Sequence, residues 1–97
     1  MENIDDLTIS YIDDDGLETI KELDKKVLTR GAWTTIMFLH QDFVKAKEEY
    51  GPKKVTIRRY QKRDGTYRPK SKFTISSEKQ AKQVVDGLEE WFDGKDD

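Results

Sequence analysis

Between residues 53 and 72, nine basic side chains (Lys53, Lys54, Arg58, Arg59, Lys62, Arg63, Arg68, Lys70 and Lys72) stand against one acid, Asp64, a local charge of +8. Their spacing matters as much as their number. Successive side chains of a strand point to opposite faces, so Lys54, Thr56, Arg58, Tyr60 and Lys62 share one face and Val55 and Ile57 the other. In the run that follows, Arg68, Lys70, Lys72 and Thr74 share one parity and Tyr67, Ser71, Phe73 and Ile75 the other. Lys and Arg meet phosphate oxygens, and a flat ring stacks on an unpaired base for about 1–3 kcal/mol. The pattern therefore predicts a face that attracts a polyanion, with single-stranded nucleic acid as the polyanion that uses both charge and ring. Trp33, just after Gly31, is a second stacking candidate and equally a candidate core residue.

Other chemistry has little to work with. His40 is the only histidine, there is no cysteine, and neither a Gly-rich phosphate loop nor a nucleophile elbow occurs. Flanked by apolar residues, His40 reads as a half-buried structural residue or a stacking surface, and the chain is not expected to be an enzyme. No cofactor is expected. A calcium-loop frame with Gly16 at position 6 places Asp13, Asp15 and Glu22 at positions 3, 5 and 12, but Tyr11 occupies position 1, where an acid is needed. No metal site is expected, and the acidic run reads as a solvated turn.

The basic face needs elements to position it. Asp64-Gly65 between two β-patterned runs is a strong hairpin signal, since a type I′ turn requires positive φ at both central residues. Pro69 lacks an amide donor and suggests an edge strand or a bulge. Upstream, residues 18–29 mix helical spacing (Ile20, Leu23, Val27, Leu28) with a strand-like ending before Arg30-Gly31, and a strand over most of the segment is expected. Residues 33–43 read as a strand apolar on both parities, with Ile36 and Phe38 on one face and Met37 and Leu39 on the other, which hints at a subunit interface. Residues 45–52 read as a polar loop. Ser77 caps a closing helix, Gln80 completes a capping-box pattern, and Glu78 sits where the helix dipole favours an anion. Ala81, Val84, Val85, Leu88, Trp91 and Phe92 form one apolar stripe, which makes Trp91 and Phe92 core or dimer-interface residues. Gly87 within it costs about 1 kcal/mol relative to Ala, so close packing there is expected.

The run Val55-Thr56-Ile57-Arg58-Arg59-Tyr60, then Asp64-Gly65, Arg68-Pro69, Lys72 and Thr74-Ile75-Ser76-Ser77-Glu78, resembles the single-stranded-DNA-binding core of transcriptional positive cofactor four and its bacterial relatives. The resemblance covers residues 18–92 by element order, with its specific residues between Val55 and Glu78. It implies a ββββα subunit that dimerises, with curved antiparallel sheets binding single-stranded nucleic acid. Arg58, Tyr60, Arg68 and Lys72 match that family's basic and aromatic binding positions. Lys70 replaces the expected Gly, Gln61 stands where some members have a second aromatic, and residues 45–52 have no counterpart.

Charge is segregated along the 97 residues: the first 20 carry −7, residues 21–85 carry +10, and the stretch from Asp86 onward carries −5, for a net −2. The expected organisation is an acidic N-terminal arm (1–17), a nucleic-acid-binding α+β domain with a four-stranded curved antiparallel sheet and a C-terminal helix (18–92), and an acidic tail (93–97). The arm is expected to lack order unless residues 7–12 form a strand, and to compete with nucleic acid for the basic face. The site set is Trp33, Lys54, Arg58, Tyr60, Lys62, Arg68, Lys70 and Lys72. The expected partners are single-stranded DNA, with RNA unselected against, and a second copy of the chain. The alternative is a protein-interaction module whose basic face docks an acidic partner. With no apolar run near the roughly 20 residues that cross a bilayer and no cationic leader, a cytoplasmic protein is expected, nucleoid-associated in a bacterial setting.

Overall fold

A computed structural model describes residues 3–92; Met1, Glu2 and the expected acidic tail lie outside the described residues. The chain forms a curled antiparallel sheet with one C-terminal helix. In order, its elements are a 3-10 turn (Ile4–Asp6), β1 (Tyr11–Ile12), β2 (Glu18–Thr29), β3 (Trp33–Val44), β4 (Glu49–Tyr50), β5 (Lys54–Arg63), β6 (Thr66–Ile75) and α1 (Glu78–Trp91). The sheet order is β1-β2-β3-β5-β6, with β4 paired only to the end of β3. Six strands replace the expected four. The additional two are two-residue pairings, one within the expected arm, ahead of Asp13–Asp15, and one where Phe43 and Val44 pair with Tyr50 and Glu49 inside the expected loop.

β3 is the central strand, and its even-numbered residues make the inner face of the sheet. Thr34, Ile36, Phe38 and His40 are at most 3% exposed. Residues directly opposite one another in an antiparallel pair share a face. The register therefore places Thr56, Arg58 and Tyr60 of β5 on the inner face, and Val27, Lys25, Glu22 and Ile20 of β2 beside them. Two bulges in β2, at Leu23 and Leu28, leave those residues without partners in β3 and expose both. A bulge shifts parity by one and tightens the local twist, which accounts for both the curl and the mixed periodicity of this segment.

The inner face is covered from an unexpected direction. Ile4 and Ile9 are buried in one cluster with Ile36, Phe38, Tyr60 and Tyr67, and Leu7 packs against it. Lys25 Nζ donates to the carbonyl oxygens of Ile4, Asp5 and Leu7 at 3.1, 3.0 and 2.6 Å. Glu22 Oε1 accepts from the Thr8 hydroxyl at 2.5 Å and from the Ile9 amide at 3.4 Å. Residues 3–10 therefore form a strap across the sheet rather than an unstructured arm. Ile4, Ile9 and Leu7 on the cluster and the polar clasps at Lys25 and Glu22 together hold the strap on the sheet. Further on, Asp13 Oδ1 accepts from the amides of Asp15 and Leu17, so the acidic run closes a turn into β2.

The outer face is open. Met37, Leu39, Val55 and Ile57 are half-buried, and Phe73 is exposed. α1 starts against this face, where Ala81 and Glu78 lie beside Leu39, Val55 and Ile75, and its main contact with the sheet is to β6. Its first turn is capped as expected by Ser77, whose Oγ accepts from the Gln80 amide at 3.1 Å, while Gln80 reaches back to the Ser76 amide. Trp91 and Phe92 are not core residues within this chain, being 74% and 69% exposed. Gly87 does not serve close packing either, since a Cβ there would meet nothing within 4 Å. The radius of gyration, 15.6 Å, exceeds the about 12 Å of a compact chain of this length.

Phe38→Ala should cost about 3–5 kcal/mol in urea denaturation, because Phe38 is fully buried where sheet and strap meet. A loss below about 1 kcal/mol would show that the inner face is not the core.

Candidate functional site

The hairpin that carries the basic residues folds as its sequence dictates. Asp64 and Gly65 adopt φ of 53° and 78°, the positive values a two-residue type I′ turn requires. From there β6 pairs with β5 as the outermost strand of the sheet. An open edge invites pairing with other chains, and charged residues and proline discourage it. β6 has both.

The bulge is in β6, and it divides the expected binding face. Arg59 lies opposite Ser71, but Tyr60 lies opposite Pro69, so Lys70 has no partner in β5. Beyond that point the parity of β6 is reversed. Lys72 and Thr74 face inward opposite Arg58 and Thr56, and Tyr67 also faces inward, opposite Lys62. Arg68 pairs with Gln61, which in turn pairs with Trp33, so Arg68 and Trp33 lie on the outer face. The simple alternation expected for Arg68, Lys70 and Lys72 is corrected by this one inserted residue. Pro69 was the signal for it.

On the inner side, Lys62 Nζ lies 5.5 Å from the Tyr67 ring centroid and the Arg58 guanidinium lies 6.0 Å from that of Phe38. Tyr60 is 3% exposed and Tyr67 8%, both under the strap. As the chain stands, Tyr60 is a core residue, not an open stacking platform. At the bulge, Arg58, Pro69, Lys70, Ser71 and Lys72 line an open cleft of about 340 Å³. Three cations around one cleft form a seat for an oxyanion.

On the outer side, the Arg59 guanidinium stacks 4.2 Å from the Trp33 ring centroid, and Trp33 remains 40% exposed. Arg59 is absent from the expected site set. Its position two residues from Ile57 placed it on the apolar parity, and only the β3–β5 register reveals the pairing with Trp33. Arg58, Arg59, Lys62, Arg63, Arg68, Lys70 and Lys72 form no ion pair among the described residues, where the Lys and Arg ion pairs are Lys54–Asp42 and Lys82–Glu78. Lys54 is thus set apart from the rest of the expected site. It donates to Asp42 Oδ2 at 3.0 Å, next to the buried histidine.

His40 belongs to a polar chain across three strands. Its Nδ1 lies 3.0 Å from Asp42 Oδ1, its Nε2 2.8 Å from Thr56 Oγ1, and Thr56 Oγ1 lies 3.0 Å from Thr74 Oγ1. Asp–His–Thr is the order of an acyl-transfer relay, but Thr56 is 3% exposed and its hydroxyl is held by both neighbours. The network satisfies buried polar groups and fixes the register of β3, β5 and β6, a role that an unsatisfied group would make costly. Of the two expectations for His40, a half-buried structural residue or a stacking surface, the structural one fits, with the ring buried; its partners Asp42, Thr56 and Thr74 carry no sequence signal. Among the described residues, no group of His, Asp and Glu is arranged to hold a metal ion, and no helix is long and apolar enough to cross a membrane.

Comparison of the chain with protein-family models, with curated proteins and with solved structures finds no match.

Tyr60→Ala should lower stability by about 3 kcal/mol or more, seen as a fall in the urea midpoint without any ligand present. An unchanged midpoint would mean that the ring stands free of the core.

Proposed function

We propose that the chain binds single-stranded nucleic acid, DNA in the first instance, without strong sequence preference, along the β5–β6 ribbon. One observation carries this reading: the ribbon concentrates seven cations that have no carboxylate partner among the described residues. Unpaired cations on a narrow ribbon gain most from a phosphate chain, which releases condensed counterions as it binds. The cleft formed by Arg58, Lys70 and Lys72 seats one phosphate, Lys62 and Arg68 flank it on the two faces, and Trp33 offers an exposed ring under Arg59. The single helix reads as a poor major-groove reader, since its exposed stripe is apolar and its second half acidic.

The functional unit we propose is a homodimer. Phe73 of the outer sheet face and Val85, Leu88, Trp91 and Phe92 of the helical segment are all about half exposed or more, and apolar patches of this kind mark association surfaces. A second copy placed there would bring two basic ribbons into one assembly. An acidic protein is the competing ligand for the ribbon.

For a labelled oligothymidine followed by fluorescence anisotropy, log affinity should fall linearly with log salt, with a slope of about −0.7 per phosphate neutralised. Arg58→Ala and Lys72→Ala should each make that slope shallower by about 0.7, whereas Lys79→Ala on α1 should leave it unchanged. Absence of binding at low salt, for both single strand and duplex, would return the ribbon to the acidic-protein reading.

A further inference from the structure

Six residues form the buried cluster of the inner face, and four of them, Ile36, Phe38, Tyr60 and Tyr67, belong to the sheet. The other two, Ile4 and Ile9, belong to the strap. The rings that would stack on bases are therefore present beside the phosphate-binding cations, but are covered by the chain's own N-terminal segment. The strap is fastened differently from the rest of the fold. Apart from the short pairing at Tyr11 and Ile12, its connections to β2 are side-chain clasps: Lys25 on three carbonyls, Glu22 on Thr8 and Ile9, and Ser10 Oγ accepting from the Glu22 amide at 3.1 Å. A segment without ladder bonds opens at lower cost than the sheet beneath it. Its charge also suits a competitor. Asp5 and Asp6 are exposed on a strap that lies over the basic face.

We infer that residues 3–10 are a displaceable strap that occludes an aromatic binding surface, and that single-stranded nucleic acid binds the inner face by replacing it. Bases then stack on Tyr60 and Tyr67 where Ile4 and Ile9 had packed, while phosphates take Arg58, Lys62 and Lys72. Lys25, released from three carbonyls, adds another cation to the same face. The exchange favours long strands over isolated phosphates, because only a ligand carrying bases recovers the apolar burial that the strap gives up. This inference rests on the proposed nucleic-acid reading and adds its regulation: affinity is lowered by the fraction of molecules in which the strap is closed.

The test is hydrogen–deuterium exchange on the intact chain, free and saturated with oligothymidine, alongside anisotropy titrations of the intact chain and of the double variant Ile4→Ser/Ile9→Ser. Bound oligothymidine should strip protection from residues 3–10 while β3 and β5 stay protected, and the double variant should bind about tenfold tighter or more. Thr8→Ala removes one clasp from an exposed position, and should tighten binding about threefold even if the double variant fails to fold. Binding by the intact chain with the strap still protected, and no tightening in a folded variant, would overturn the strap and leave the nucleic-acid reading standing. If the intact chain does not bind but a folded variant does, the strap is supported in its strongest form. Failure of both intact chain and folded variants to bind would overturn the two together.

Discussion

The structure depends on one row of side chains. Thr34, Ile36, Phe38 and His40 alternate along the central strand and are all at most 3% exposed. A single sheet cannot bury a face by itself, so something else must cover this row. In most α+β domains the helix does so, but here α1 begins against the outer face and the cover is the N-terminal strap. Two consequences follow. The outer face and the stripe of α1 are left half open, and the rings of Tyr60 and Tyr67 become the floor of the strap instead of an open platform.

The hairpin is legible in sequence because its determinants are local. Asp64-Gly65 specifies the turn, and alternating Val55, Ile57, Arg58 and Tyr60 specify strands at once. The cap of α1 is equally local, with Ser77 and Gln80 three residues apart. What could not be read were the places where one residue breaks the parity. Leu23 and Leu28 in β2 have the spacing of a helix stripe only because each sits in a bulge. Lys70 reverses the faces of Tyr67 and Arg68 in the same way. Pro69 warned of irregularity but not of its direction. The strap was unreadable for a different reason: residues 3–10 are polar and acidic with isolated Ile4, Leu7 and Ile9, and nothing local reveals that Lys25 and Glu22, more than a dozen residues away, supply the clasps.

The two acidic ends now read differently. At the N-terminal end, Asp13 closes the turn into β2, at the sheet edge opposite the ribbon, while Asp5 and Asp6 are exposed on the strap. The near-neutral total conceals an internal opposition between a cationic edge and an anionic cover. That opposition has a structural counterpart at Lys54, whose ammonium is already neutralised by Asp42 and which therefore contributes to the His40 network rather than to the ribbon. The expected site set includes Lys54, which pairs with Asp42, and leaves out Arg59, whose guanidinium lies over the Trp33 ring.

The central claim is that the β5–β6 ribbon, and not the open apolar face, is where the ligand binds. Amide chemical-shift mapping of the nitrogen-15-labelled chain during titration with oligothymidine tests it most directly. The account predicts salt-sensitive shifts concentrated at Arg58, Lys62, Lys70, Ser71 and Lys72, around the cleft at the bulge. Shifts confined to α1 and to Met37, Leu39 and Phe73 would contradict it and make the outer face the binding surface.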